Sequence, residues 1–319
     1  MKMIPKLYIV IPCYNEEAVL PITSRLFLDE LEKLTQYGKV GEESRILFVD
    51  DGSKDNTWQI ITDLAKEDKR FCGIRQSRNR GHQNALVAGL FEAKDKADIV
   101  ITADCDGQDD ITAMEKMVDE YLDGAEIVYG VRKSRKNDST FKRGTAQGYY
   151  KILKSFGVEV VYNHADYRLT SAKVLQAFSQ FNEVNLYLRG MFPLVGFKST
   201  VVEYDRTERM AGKTHYSFGK MLGLAIDGIT SLSIRPIRLI TAAGLISAAL
   251  SLIGIIWSVV ARIIGVTVSG WASMVCFICF FGGLILLSLG IIGEYIGKIY
   301  MEVKHRPRFI ISDRTEEEK

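Results

Sequence analysis

Short apolar runs alternate with amphipathic stretches along the first 130 residues of this 319-residue chain. Leu7–Ile11, Ile46–Val49, Gly73–Arg75, Ile99–Ala103 and Ile127–Tyr129 read as buried strands. Between them, Ala18–Leu34, Thr57–Ala65, Asn84–Phe91 and Ile111–Leu122 carry apolar residues at helical spacing, one buried face each. Strand–helix alternation of this kind predicts an α/β fold: a parallel sheet with helices on both faces. Ligands in such sheets bind at the carboxyl ends of the strands, so the chemistry is expected just after each strand.

The pattern changes at Leu239. From there to Gly293, fifty-five residues hold one charged side chain, Arg262, while the chain as a whole is 25% charged. Leu239–Ala261 and Trp271–Gly293 are 23 uncharged residues each. At ~1.5 Å per residue, either helix crosses a hydrocarbon core of ~30 Å. The short connector makes them an antiparallel hairpin. Arg235, Arg238, Lys298, Lys304, Arg306 and Arg308 flank its chain side, against Arg262 alone in the turn. Positive charge favours the cytoplasmic side, which puts the globular part and both termini in the cytoplasm of a two-span protein of the cytoplasmic membrane. Lys6–Ile11 ends at Pro12 and leads into charged sequence, so no export signal is expected. The expected division is 1–212 for the catalytic part and 213–235 for a juxtamembrane segment. The hairpin follows at 236–297 and a cytoplasmic tail at 298–319.

Net charge is +2, which argues against a nucleic-acid binder. Five scattered cysteines fit a reducing compartment and show no zinc spacing; Cys276 and Cys279 lie inside a span. Polar chemistry does collect after the strands. Strand one runs into Pro12-Cys13-Tyr14-Asn15-Glu16-Glu17, strand two into Asp50-Asp51-Gly52-Ser53, and strand four into Asp104-Cys105-Asp106-Gly107-Gln108. No glycine-rich phosphate loop accompanies them, and Gly212-Lys213-Thr214 lacks the first glycine of a Walker loop. Two carboxylates at i and i+2 on a strand-ending turn can face one hard cation, Mg²⁺ or Mn²⁺, which would neutralise a diphosphate leaving group. A solvated acidic turn is the plain alternative.

Taken in order, Val10–Glu17, Val49–Thr57 and Asp104-x-Asp106-x-Gln108 resemble family 2 glycosyltransferases of the GT-A fold. Arg78-Asn79-x-Gly81-His82-Gln83, Asp166-Tyr167-Arg168-Leu169, Arg209-x-x-Gly212-Lys213-Thr214 and the hairpin resemble the polyprenyl-phosphate glycosyltransferase branch. That branch includes dolichyl-phosphate mannose synthases and bactoprenol glucosyltransferases. The resemblance implies that Pro12, Tyr14, Glu16 and Asp51 hold the donor nucleoside, and that Asp104, Asp106 and Gln108 hold the metal and diphosphate. It places Asp166 near the reacting centre, with Asp106 and Asp166 as catalytic residues. Gly107 stands where the motif usually carries leucine, and a looser turn is expected there.

The implied reaction is inverting transfer of a hexose, glucose from UDP-glucose, to a polyprenyl (undecaprenyl) phosphate. The basic segment Arg132–Arg143 and a second group, Arg206, Arg209 and Lys213, offer anion sites. Arg132, Arg143, Arg209 and Lys213 are the acceptor-phosphate candidates, with attraction to anionic lipid as the alternative role. Tyr216–Ile234 has one apolar helical face and reads as an interfacial helix or as a helix packed on the globular part. GDP-mannose as donor stays open, as does a non-enzymatic nucleotide-sensing partner of a lipid flippase. A processive synthase is disfavoured, since none of the three tryptophans sits in a Gln-x-x-Arg-Trp motif. A homo-oligomer and a flippase partner complete the expectations.

Overall fold

A computed structural model describes residues 4–133, 156, 164–185, 187–205, 228–231, 233–265 and 270–315. The first half runs β1 (Leu7–Cys13), α1 (Leu20–Gln36), β2 (Arg45–Asp50), α2 (Thr57–Glu67), β3 (Phe71–Gln76), α3 (His82–Ala93), β4 (Ile99–Thr102), α4 (Ala113–Leu122) and β5 (Ile127–Arg132). After it come β6 (His164–Ser171), α5 (Ala172–Phe178), α6 (Leu188–Leu194) and β7 (Ser199–Tyr204). The chain closes with α7 (Arg235–Ile263), α8 (Trp271–Val303) and β8 (Ile311–Arg314). Each expected strand and helix of the first 130 residues is present, with ends moved by up to three residues.

One eight-stranded sheet has the order β7-β5-β6-β4-β1-β2-β3-β8. Strands β3, β2, β1 and β4 are parallel neighbours, as the alternation predicts. The sheet as a whole is mixed. β6 runs antiparallel to both β4 and β5, and β8 runs antiparallel to β3. Neither reversal follows a β-helix-β repeat, so periodicity could not reveal it.

Both faces are covered, which explains why the central strands read as continuous apolar runs. Side chains alternate along β1: Leu7, Ile9 and Ile11 join Phe27 and Leu31 of α1, Ile61 of α2 and Met114 and Met117 of α4. Tyr8 and Val10 face the other way, to Leu86 and Leu90 of α3, Phe178 of α5 and Leu188 and Phe192 of α6. Gly89 lets α3 lie directly on the sheet, because a Cβ there would collide with Val10 and would stand 2.8 Å from Val49 Cγ2.

α7 and α8 hold 29 and 33 residues and are long and apolar enough to cross a membrane. Leu245, Leu250, Trp257, Phe277 and Leu286 on them are exposed, so these helices are not packed into the core of the sheet. α8 extends ten residues beyond the expected span end at Gly293. On that extension the Tyr295 hydroxyl donates to the Ser233 carbonyl at 2.5 Å, and Lys298 donates to Thr230 and Ser231.

The C-terminal segment is not a free tail. Residues 305–315 return to the sheet and end in β8 on the edge of β3, where Ile74 pairs with Arg314 and Arg75 with Asp313. The physical reason is the bare edge that β3 would otherwise present. Most of 216–234 lies outside the described residues, and with it the amphipathic-helix expectation.

Candidate active site

The carboxyl ends of β1, β2 and β4 meet at one edge, and two loops are stitched together there. Ser53 Oγ accepts the Asn15 amide N–H at 2.9 Å, and Thr57 Oγ1 accepts that of Glu16 at 2.8 Å. Asn15 Oδ1 in turn accepts from the Lys54 amide, and Asp55 accepts from both Thr57 and Glu17. Much of what makes these motifs recognisable is therefore loop-to-loop bonding. Tyr14 is left 41% exposed on this edge, Glu16 is half-buried and Pro12 is buried in the strand end.

Asp51 is buried, and its two oxygens accept the amide N–H groups of Arg80 and Gly81 at 2.8 and 2.9 Å. It fixes the loop that leads into α3. Gly52 makes this possible at φ +67°, because a Cβ there would stand 2.6 Å from the Arg78 carbonyl carbon.

After β4, Asp104 and Asp106 are half-buried while Cys105 between them is buried, and Asp106 is near enough to act electrostatically on the Asp104 carboxyl. The Gln108 amide donates to Asp106 Oδ1 at 3.1 Å. Gly107 adopts φ +65°, a left-handed conformation that a leucine would enter only with strain. Glycine takes this conformation without a side-chain clash.

Two residues outside the acidic turn complete the centre. Asp166 projects from β6, and its carboxylate receives the Arg189 guanidinium at 3.2 Å and that of Arg168 at 3.3 Å. Arg168 is fully buried and lies 4.1 Å from the Phe192 ring centroid. His82, the first residue of α3, places Nε2 3.7 Å from Asp104 Oδ1 and 3.8 Å from Asp166 Oδ2. It links the acidic turn to the Asp166 cluster.

The electrostatics of the two carboxylates diverge. Burial drives the Asp104 carboxyl up to about 6; Asp109, Asp166 and Asp106 add to the rise and His82 opposes it. Burial also pushes Asp166 upward, but Arg189, Arg168 and His82 override it and hold the carboxyl below the usual carboxylate range. Asp166 is thus a fixed anion and a poor proton acceptor. Asp109 is buried behind the turn, where its Oδ1 accepts from the Tyr204 hydroxyl at 2.6 Å and from Arg132 at 3.3 Å.

Arg132, expected to bind acceptor phosphate, is thus turned onto Asp109 and Tyr204. Arg143, Arg209 and Lys213 lie outside the described residues. Among the described residues no three His, Cys, Asp or Glu side chains are grouped to hold a metal ion by themselves. Sequence reasoning missed His82, Arg189 and Asp109 as members of the centre. Arg168 was detectable, since i and i+2 on a strand share a face with Asp166, whereas Arg189 arrives from a separate helix without any spacing signal.

Residues 8–178, more than half the chain, match the family described as glycosyl transferase family 2. The chain belongs to that family. This glycosyltransferase has the GT-A fold, with the apolar α7–α8 pair following it. It is 47% identical to the uncharacterized glycosyltransferase YkoT of Bacillus subtilis (strain 168), over 96% of this chain and 91% of that one. It is 38% identical to the bactoprenol glucosyl transferase of Shigella phage SfX, over 97% of this chain and 99% of that one. Glucosyl-3-phosphoglycerate synthase from Mycobacterium tuberculosis, solved with Mn²⁺, UDP and phosphoglyceric acid, is a distant likeness. It has a TM-score of 0.46 and 16% identity over 72% of this chain and 77% of that one.

Proposed function

We propose that this family 2 enzyme transfers a hexose, glucose from UDP-glucose, to a polyprenyl phosphate at the membrane surface, with inversion at the anomeric carbon. The observation that carries the reading is the joining of one carboxyl-edge site, Asp104–Asp106 with His82 and Asp166, to two exposed apolar helices on the same chain. A water-soluble donor and a lipid acceptor require that combination. Near-complete alignment with bactoprenol glucosyl transferases supports the acceptor. The hairpin lies between β7 and β8, two strands of the same sheet, which supports its two ends sharing one side of the bilayer with the catalytic sheet. The basic flanks support that side being cytoplasmic.

In the reaction a phosphate oxygen of the acceptor forms a bond to the anomeric carbon as the bond from that carbon to the β-phosphate oxygen of UDP breaks. The nucleoside diphosphate leaves with the bonding electron pair. The nucleophile is already an anion, so no strong general base is required, which suits the permanently charged Asp166. Asp166 instead holds Arg189 and faces His82 at the reacting centre. Tyr14 and Glu16 border the nucleoside, and Asp51 shapes its pocket through the Arg80–Gly81 backbone. Arg143, Arg209 and Lys213 are proposed for the lipid phosphate.

A divalent cation, Mg²⁺ or Mn²⁺, fits the acidic turn. The donors are carboxylate oxygens, and the Asp104 carboxyl is raised by burial first and by the neighbouring acids Asp109, Asp166 and Asp106 second, so a cation there would meet a carboxylate that lacks compensation. Asp104, Asp106 and the Gln108 turn would hold it, and it would neutralise the departing diphosphate.

Purified protein in vesicles containing undecaprenyl phosphate, offered a panel of radiolabelled nucleotide sugars, tests the reading. Label is expected to enter lipid from UDP-glucose in wild type. Asp106→Ala is expected to lose about 100-fold or more in rate with its thermal midpoint retained. Transfer from GDP-mannose alone, or full turnover in Asp106→Ala, would overturn the donor or the metal assignment respectively.

A further inference from the structure

Two loops lead to the side chains at Asp166: residues 77–81 run into His82 at the start of α3, and residues 181–185 lead toward α6, which carries Arg189. Both are gripped by the stretch that leaves α8. Near the end of that helix, Glu302 Oε1 accepts the amide N–H groups of Val184 and Asn185 at 2.7 and 3.1 Å. A carboxylate that takes two successive amides fixes the backbone with charge-assisted bonds. A few residues later, the Pro307 and Arg308 carbonyls each accept from the Arg80 guanidinium at 2.9 Å. Arg308 donates to the Phe181 carbonyl. The two loops are also joined directly, because Gln83 Oε1 accepts the Leu188 amide at 3.1 Å.

β8 pairing does not explain this grip. The strand anchors to β3 through 311–314, whereas residues 184 and 185 belong to no strand and meet Glu302 ahead of the sheet. The bonds concentrate on the segments next to His82 and Arg189. None of Glu302, Arg80 or Arg308 is among the side chains described at Asp104, Asp106 or Asp166.

We propose that Glu302 and Arg80 are positioning residues for the transfer reaction: the exit of α8 sets the two loops that hold His82 and Arg189 at Asp166. The helix that approaches the lipid acceptor is thereby bonded to the backbone that shapes the reacting centre. The inference rests on the glycosyl-transfer reading of that centre. Displacement of a positioned group by about 1 Å is enough to cost up to about 100-fold in rate, so modest slack in either loop is expected to register in turnover.

The test compares full-length wild type, Glu302→Ala, Glu302→Gln and Arg80→Ala in undecaprenyl-phosphate vesicles, with the donor that wild type uses. Glu302→Gln keeps an oxygen acceptor at the same reach. The expected result is a kcat loss of about 10-fold or more in Glu302→Ala and Arg80→Ala, with donor KM within about twofold in Glu302→Ala, whose loop lies away from the nucleoside pocket. Glu302→Gln is expected to recover most of the lost kcat. Wild-type kcat in both alanine variants overturns the proposal, as does equal loss in Glu302→Ala and Glu302→Gln that follows their thermal midpoints. If wild type transfers no sugar from any donor, the functional reading fails, and amide hydrogen exchange decides the positioning claim. Faster exchange across residues 80–83 and 187–190 in Glu302→Ala than in Glu302→Gln supports it; equal exchange overturns it.

Discussion

At the scale of single residues, the centre is a set of carboxylates given different work by their neighbours. Asp166 is held charged by two guanidiniums, while Asp104 is driven upward by burial and by other acids. The raised carboxyl gives a pH prediction with a definite sign. A proton and a cation compete for Asp104, so Mn²⁺ affinity of the donor-free protein should be flat above pH about 6 and fall about tenfold per unit below it. Calorimetric titration between pH 5 and about 7.5 checks this, and a flat profile removes Asp104 from the site. The same shift means that the folded state binds that proton more tightly than the unfolded state does. Asp104 therefore lowers stability at neutral pH, and the penalty disappears as pH falls below the ordinary carboxylate range. Asp104→Asn should abolish Mn²⁺ binding and raise the thermal midpoint by about 2 °C, discounted because the side chain is 35% exposed.

At the scale of elements, the apolar pattern foretold every strand and helix of the first 130 residues, because strands covered on both faces are continuous apolar runs and the helices between them carry apolar residues at helical spacing. Helix α3 shows how tightly the layers are fitted. Gly89→Val would drive a branched side chain into Val10 and Val49, and a loss of about 1–3 kcal/mol is expected. A denaturant midpoint measured against wild type checks this; an unchanged midpoint would mean that α3 stands off the sheet. The same helix starts with His82, so its seating also places the imidazole between Asp104 and Asp166. The site's acids were legible where they follow strands. Arg189 was not, because α6 reaches Asp166 through a turn of chain that no local spacing encodes.

At the scale of the whole molecule, the chain leaves the sheet at β7, runs through two apolar helices and returns to the opposite edge as β8. That return makes a prediction that a free tail would not. A chain ended at Lys304 loses the Pro307 and Arg308 contacts, the Phe309 packing on Phe91 and the β8 ladder. Its unfolding midpoint in detergent should drop by about 5 °C or more, with self-association through the bared β3 edge. Thermal scans with light scattering read both effects, and an unchanged midpoint would show that β8 contributes nothing. By itself, the sequence determined the parallel core, the acidic turn after β4 and the two membrane-length helices. Each is written in a local pattern of polarity, and burial enforces that pattern residue by residue. Only the tertiary structure decided the reversed strands, the closing of β8 on β3 and the meeting of His82, Arg168 and Arg189 at Asp166. Those are contacts between distant segments, held by hydrogen bonds and charge, and such bonds depend on proximity in space and leave no period along the chain.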